Sequence, residues 1–426
     1  MDEVYRKISR RLLPPLLLAY IVAYLDRVNV GFAKLQMLSA LHFSETIYGL
    51  GAGIFFIGYF LFGVPSNMIL RRVGARVWIT TLMVFWGVVS AGMILIKTPG
   101  QYYALRFLLG VAEAGFFPGV IFYLTQWYPA ARRSQVTALF MTGIAICGAA
   151  GSILSGAIMQ SFEGRHGFAG WQWLFLIEAA PAVLVGLYIL LRLDDDIAGA
   201  QWLNDGQKAQ VARDLAHDSS GTPAAVGAPS GLATAVFRDP RVWLACLIYF
   251  CATTGLYGIG FWLPTIVAEM GIREPLHIGL LSAIPYAAAG VGMVLIGRHA
   301  DRRREHRWHT AATAALGAVA LAASALLSAH PPWAMLALVA ATVGILATPP
   351  LFWSLPTAHL RGAAAATGIA FINSFGCLSG FVSPYLVGAI KDLTGTTNAG
   401  MYALSAFIGV GAILAGCWPQ ARYSSS

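Results

Sequence analysis

Residues 102–129 read YYALRFLLGVAEAGFFPGVIFYLTQWYP. The stretch is long enough to cross a bilayer core, which takes about 20 predominantly apolar residues in a helix. It nevertheless carries Arg106 and Glu113, and a full charge in hydrocarbon costs at least about 2.5–3.5 kcal/mol. A spacing of seven residues is two helical turns, so both side chains share one face about 10 Å apart along the axis. That gap is too wide for an ion pair within the helix. It leaves room for a substrate group, a water, or a charge from another helix.

Composition shows that the neighbours are of the same kind. Of 426 residues, 58% are hydrophobic and 11% charged, against about 25% charged in soluble domains; the mean hydropathy is +0.67. This is an all-α membrane protein. A window of spanning length finds twelve segments, near 12–34, 47–70, 77–97, 101–127, 134–160, 171–192, 241–268, 277–297, 308–329, 333–354, 362–390 and 399–419. The opening RKISRRLLPPLLLAYIVAYLD (6–26) runs into a full span without a small-residue cleavage site, so no cleaved signal peptide is expected. The even count puts both termini on one side. That side carries 21 Lys and Arg against five on the other, and the excess marks the cytoplasm. The net charge of +9 follows from this bias, with no need of nucleic acid. Cys147, Cys246, Cys251, Cys377 and Cys417 all lie in apolar segments without metal-ligand spacing and read as small core residues.

A polar stretch divides the spans into six and six. The expected organisation is a six-helix bundle over 1–192, a cytoplasmic linker over 193–240, and a second bundle with a short tail over 241–426. Within the linker, DDDIAGAQWLNDGQKAQVARDLAHD (194–218) suits a short amphipathic helix and SSGTPAAVGAPSG (219–231) a flexible connection. The halves echo each other: GIAICGAAG (143–151) and GIAFINSFG (368–376) occupy the fifth and eleventh spans. Such parallel repeats characterise one large class of transporters, with a site between them near the midplane. Glycines 143, 148, 151 and 156, with 368, 376, 380 and 388, suit close packing of these spans.

The first span, AYIVAYLDRVNVGFAKL (19–35), adds Asp26 and Arg27. With Arg106 and Glu113 the inventory is two positive and two negative charges, able to neutralise one another across a wet interior. The arginines stay protonated and can grip a carboxylate with two hydrogen bonds. Asp26 and Glu113 can gain or lose a proton. An arriving anion that competes for the arginine makes protonation of the acid easier, which is the minimal physics of proton–anion symport. The other reading is a fixed salt-bridge network that holds two helices together. Glu178, in WQWLFLIEAAPAVL (171–184), lies near a span end and reads as structural. Asn373 and Ser374 suit hydrogen bonding to a hydroxylated anion or to a neighbouring helix. The loop GRHADRRREHR (297–307) places Gly297, Asp301 and Arg302 where they can admit and latch neighbouring helix ends; its counterpart SNMILRRVGAR (66–76) lacks the acid, which weakens that latch. No P-loop, HExxH or Gly-x-Ser-x-Gly occurs, so nothing argues for an enzyme.

With twelve spans in two halves and GRHADRRR at 297–304, the chain resembles the major facilitator superfamily. More narrowly, YLDRVNVGFA (24–33), RFLLGVAEAGFFPGVIFYLTQWYP (106–129), GWQWLFLIEAAPA (170–182) and GFWLPTIV (260–267) are similar to the anion:cation symporter family. Its bacterial members include permeases for tartrate, phthalate, hydroxyphenylacetate and sugar acids. The resemblance implies proton coupling at Asp26 and Glu113, anion contact at Arg27, and a coupling or substrate role for Arg106. It also implies a cavity lined by Tyr24, Tyr59, Trp353 and Asn373. The expected protein imports an organic carboxylate across the bacterial inner membrane by alternating access. It would draw on the proton gradient, without cofactor or metal, as a monomer in the lipid bilayer. A proton-driven efflux antiporter and a membrane ligand sensor are the competing expectations.

Overall fold

In hydrocarbon a chain must satisfy its own backbone groups, and a helix does so within one segment. The computed structural model describes residues 3–220, 236–360 and 363–419, and among these its elements are helical. They are α1 (Glu3–Leu41), α2 (Glu45–Val73), α3 (Ala75–Gly92), α4 (Pro99–Glu113), α5 (Phe116–Thr125), α6 (Ala130–Ser161), α7 (Gly170–Arg192) and α8 (Asp205–Ser220). There follow α9 (Pro240–Glu269), α10 (Pro275–Arg303), α11 (Arg307–Leu326), α12 (Pro331–Phe352), α13 (Ser354–His359), α14 (Ala363–Cys377), α15 (Ser379–Thr394) and α16 (Thr397–Gly416). Twelve segments among the described residues are long and apolar enough to cross a membrane, as expected. The Gly/Pro/Ser run 221–231, Arg361 and Arg422 lie outside the described residues.

Three spans are interrupted among the described residues: the fourth, the tenth, and the eleventh, which breaks at Leu378 between α14 and α15; proline accounts for the first two. A proline lacks the N–H that would reach the carbonyl four residues earlier, and its ring crowds that carbonyl. Pro118 lies four residues after Ala114, and the fourth span breaks between Glu113 and Phe116 into α4 and α5. Pro356 lies four after Phe352, and the tenth span breaks at Trp353 between α12 and α13. At the start of α4 Thr98 accepts from the Gln101 amide while Gln101 accepts from the Thr98 amide, with Pro99 in the first turn. This capping box fixes where the span begins.

The chain groups into two compact units, residues 1–41 with 54–224, and residues 42–53 with 225–426. In the first unit α2 and α4 touch backbone to backbone. A Cβ at Gly110 would collide with the Phe55 carbonyl, and one at Gly58 with the Phe107 carbonyl. In the second unit Lys391 of α15 bridges Glu45 (2.6 Å) and Glu269 (2.9 Å). The neighbouring Asp392 accepts the first backbone amides of α2, Glu45 at 3.1 Å and Thr46 at 2.8 Å.

The segment after α7 packs on the first unit. Asp195 pairs with Arg76 (3.2 Å) and accepts its backbone amide (3.1 Å). The acid missing from the loop 66–76 is therefore supplied from more than a hundred residues downstream. Asp194 accepts from Trp202 at 2.6 Å, and α8 is tied back by the Tyr5 hydroxyl donating to Asp214 at 2.8 Å.

Candidate functional site

Successive residues on a helix point about 100° apart, so Asp26 and Arg27 face different neighbours. Arg27 reaches α4, where its Nη2 and Nε donate to one Glu113 oxygen at 2.8 and 3.2 Å. A charge from another helix thus meets Glu113, one of the occupants that the seven-residue gap allowed. Asp26 accepts from the Ser90 hydroxyl of α3 and from Asn29 at 3.4 Å. The expected mutual neutralisation is therefore realised directly for one pair, while Asp26 rests on neutral donors.

Aromatic rings complete the surroundings of the arginines. The Arg27 guanidinium lies 5.2 Å from the ring centres of both Phe55 and Tyr59. Arg106 lies over Phe55 at 5.0 Å. One ring thereby lies within reach of both cations, and each gains from its π system. The close α2–α4 approach at Gly58 and Gly110 places that ring. Of the four charged residues only Arg27 is accessible to any extent, 21% of its side chain, against 1% for Asp26, 0% for Arg106 and 1% for Glu113. Within the pair, Arg27 is thus the accessible member and Glu113 the buried one.

A third buried carboxyl adjoins the cluster. Glu178 accepts from Ser155 at 2.8 Å, and Asn29, which donates to Asp26, also lies within reach of Glu178. One oxygen each of Asp26, Glu113 and Glu178 has no hydrogen-bond partner among the described residues. Asn29, Ser90 and Phe55 were not anticipated from the sequence. Asn29, three residues after Asp26 in an apolar span, carried the one usable signal.

The remaining expected residues distribute as follows. Tyr24 is half-buried on α1, one turn before Arg27. In the second unit Trp353 packs on Tyr249 at 4.8 Å and Phe352 at 5.4 Å. On α14 Asn373 is exposed and Ser374 half-buried. Asp301 bonds His306 at 3.1 Å, a local tie across the α10–α11 turn. Gly297 does not serve a close approach in this conformation, because a Cβ there would meet nothing within 4 Å. Arg302 is exposed beside it.

Twelve apolar spans among the described residues, with charged residues buried within the first unit, define a polytopic membrane protein. Residues 16–384 match the family model for the Major Facilitator Superfamily, and the chain belongs to that family. It is 46% identical over 413 residues to a protein of Agrobacterium vitis provisionally named a tartrate transporter, covering 97% of this chain and 94% of that one. It is 41% identical to the quinolone resistance transporter of Acinetobacter baumannii, covering 97% and 94%. Among solved structures, a bacterial homologue of the human lysosomal transporter Spinster superposes with a TM-score of 0.79 at 18% identity, covering 98% and 97% of the two chains. The protein is a membrane transporter and not an enzyme.

Proposed function

We propose that the protein couples proton entry to the import of a small organic carboxylate, with Arg27 as the anion contact and Glu113 and Asp26 as the proton-carrying groups. The observation that carries this reading is the Arg27–Glu113 pair, in which the cation is accessible and its carboxylate partner is buried. An anion that draws the guanidinium away leaves Glu113 without its counter-charge, and a proton restores neutrality. Binding of one ion thereby favours binding of the other, which is the reciprocity that coupled transport requires. Asp26, held by Ser90 and Asn29, supplies a second protonatable position. The relative named a tartrate transporter supports a hydroxylated dicarboxylate as substrate. In the same reading the protein works as a monomer in the bacterial inner membrane by alternating access.

The relative named a quinolone resistance transporter favours a second reading, proton-driven export. Direction separates the two. In proteoliposomes with an imposed inward proton gradient, import predicts uphill accumulation of labelled tartrate or a related carboxylate. Glu113→Gln and Asp26→Asn are expected to abolish accumulation while retaining exchange or binding. Normal accumulation by both variants would defeat the coupling assignment. Proton-driven expulsion from loaded vesicles would establish export.

A further inference from the structure

Away from the buried charges, the N-terminal turns of α1 and the end of α7 enclose a groove of about 680 Å³. Arg6, Lys7, Arg10, Arg11 and Arg192 line it, with one carboxylate, Glu3, among its walls. Trp202 and Tyr188 contribute aromatic surface; Arg11 lies over the Trp202 ring at 5.2 Å and Arg192 over the Tyr188 ring at 5.9 Å. Basic residues that only orient a chain in the membrane need no cavity, since they do their work in open water. Here five cations surround one.

The position of the groove selects its occupant. It sits where RKISRR (6–11) gives way to LLPPLLLAY (12–20), the level at which a span leaves the hydrocarbon. From it an apolar stripe runs along α7 into the span: Leu191 (81% exposed), Tyr188 (46%), Leu187 (45%) and Leu184 (66%). This i, i+3, i+4, i+7 spacing is one helix face. Leu18 of α1 is also exposed. Tyr188 belongs to both features, so a basic cup opens directly onto a greasy track. A molecule with an anionic head and long apolar tails matches both parts, whereas a soluble phosphate uses only the first.

We infer that this groove is a binding site for an anionic phospholipid of the leaflet on the N-terminal side, its phosphodiester held by Arg6, Lys7, Arg10 and Arg192 and its acyl chains laid along α7. Arginine forks suit phosphate oxygens, and basic pockets between membrane helices at this level are suited to phosphorylated head groups. The site is independent of the transport cycle proposed above.

Thermal melting of the full-length protein in detergent tests this. Phosphatidylglycerol should raise the melting temperature by several degrees, phosphatidylcholine with the same acyl chains should not, and inorganic phosphate at equal concentration should fall short of the lipid. The triple variant Arg6→Gln/Arg10→Gln/Arg192→Gln should keep its lipid-free melting temperature and lose the phosphatidylglycerol shift. Each neutralised cation is expected to weaken binding about fivefold. Should the triple variant fail to fold, Arg192→Gln alone, read by lipid retained in native mass spectrometry, should hold less phosphatidylglycerol than the parent. Equal shifts for the two lipids, full stabilisation by phosphate alone, or undiminished retention in the variants each overturn the assignment.

Discussion

At the scale of single residues, the site turns on where Arg27 points. Two of its donors go to the internal carboxylate of Glu113 while 21% of its side chain stays accessible, so in the proposed reading one residue serves structure and recognition together. On that reading Arg27→Ala removes a charge-assisted contact to the anion, and a loss of roughly 10–100-fold in carboxylate affinity is expected. Arg27→Lys keeps the charge but not the fork and should fall between. Calorimetric titration of purified protein with carboxylates measures both, and unchanged affinity in Arg27→Ala would return the residue to a structural role. The four charges were legible because hydrocarbon makes any intramembrane charge conspicuous. Their partners were less so. Ser90 and Phe55 are ordinary residues in apolar spans, and only the crossing of α1 with α3 and of α2 with α4 gives them meaning. That Asp26 and Arg27 diverge follows from helical geometry; that Arg27 meets Glu113 and Asp26 meets Ser90 required the packing.

At the scale of elements, close contacts do the positioning. Gly110 brings α4 against α2 so tightly that a methyl group would strike the Phe55 carbonyl. Backbone cannot yield as a flexible side chain does, so Gly110→Ala is expected to cost about 1–3 kcal/mol. It should also displace Phe55 from its contact with the two arginines, so transport should fall more than stability; a variant with parental melting temperature and uptake would show that the crossing tolerates the shift. Asp195 gives a finer test, because it makes two bonds of different kinds to Arg76. The exposed ion pair is worth under about 1 kcal/mol, whereas accepting a backbone amide in the first turn of α3 resembles an N-cap, worth about 1 kcal/mol. Asn can still accept the amide and Ala cannot. Asp195→Asn should therefore melt close to the parent and Asp195→Ala lower, and equal losses would assign the effect to the ion pair. The sequence reading found an acid missing from the loop 66–76 and expected a weaker latch there. The partner was hidden in a run of aspartates that looked like the start of a linker, a pairing no local pattern reveals.

At the scale of the whole molecule, the twelve spans were legible, most of them to within a few residues of their ends, since bilayer thickness and the demand for backbone satisfaction leave few alternatives. Helix α1 nevertheless extends well past 12–34 on both sides. The interruptions at Glu113–Phe116, Trp353 and Leu378 were not anticipated, although Pro118 and Pro356 contained the reason for the first two. Lys391 and Asp392 were equally obscure: they look like loop charges and instead hold the start of α2. Orientation is a separate question, decided by the unequal distribution of Lys and Arg rather than by helix packing. The short loop at 96–98 bears only Lys97, whereas residues 3–11, at the end of α1 where the groove lies, bear four cations. Translocating those four against the membrane potential would be far more costly than translocating one. Green fluorescent protein fused after Ser426 should therefore fluoresce, and alkaline phosphatase at the same place should be inactive. Phosphatase inserted between Lys97 and Thr98 should be active. The reverse pattern would invert the protein and place the groove between α1 and α7 in the outer leaflet. Neutralising Arg6, Lys7, Arg10 and Arg11 together should weaken the bias without reversing it, because the other basic loops still favour the same side.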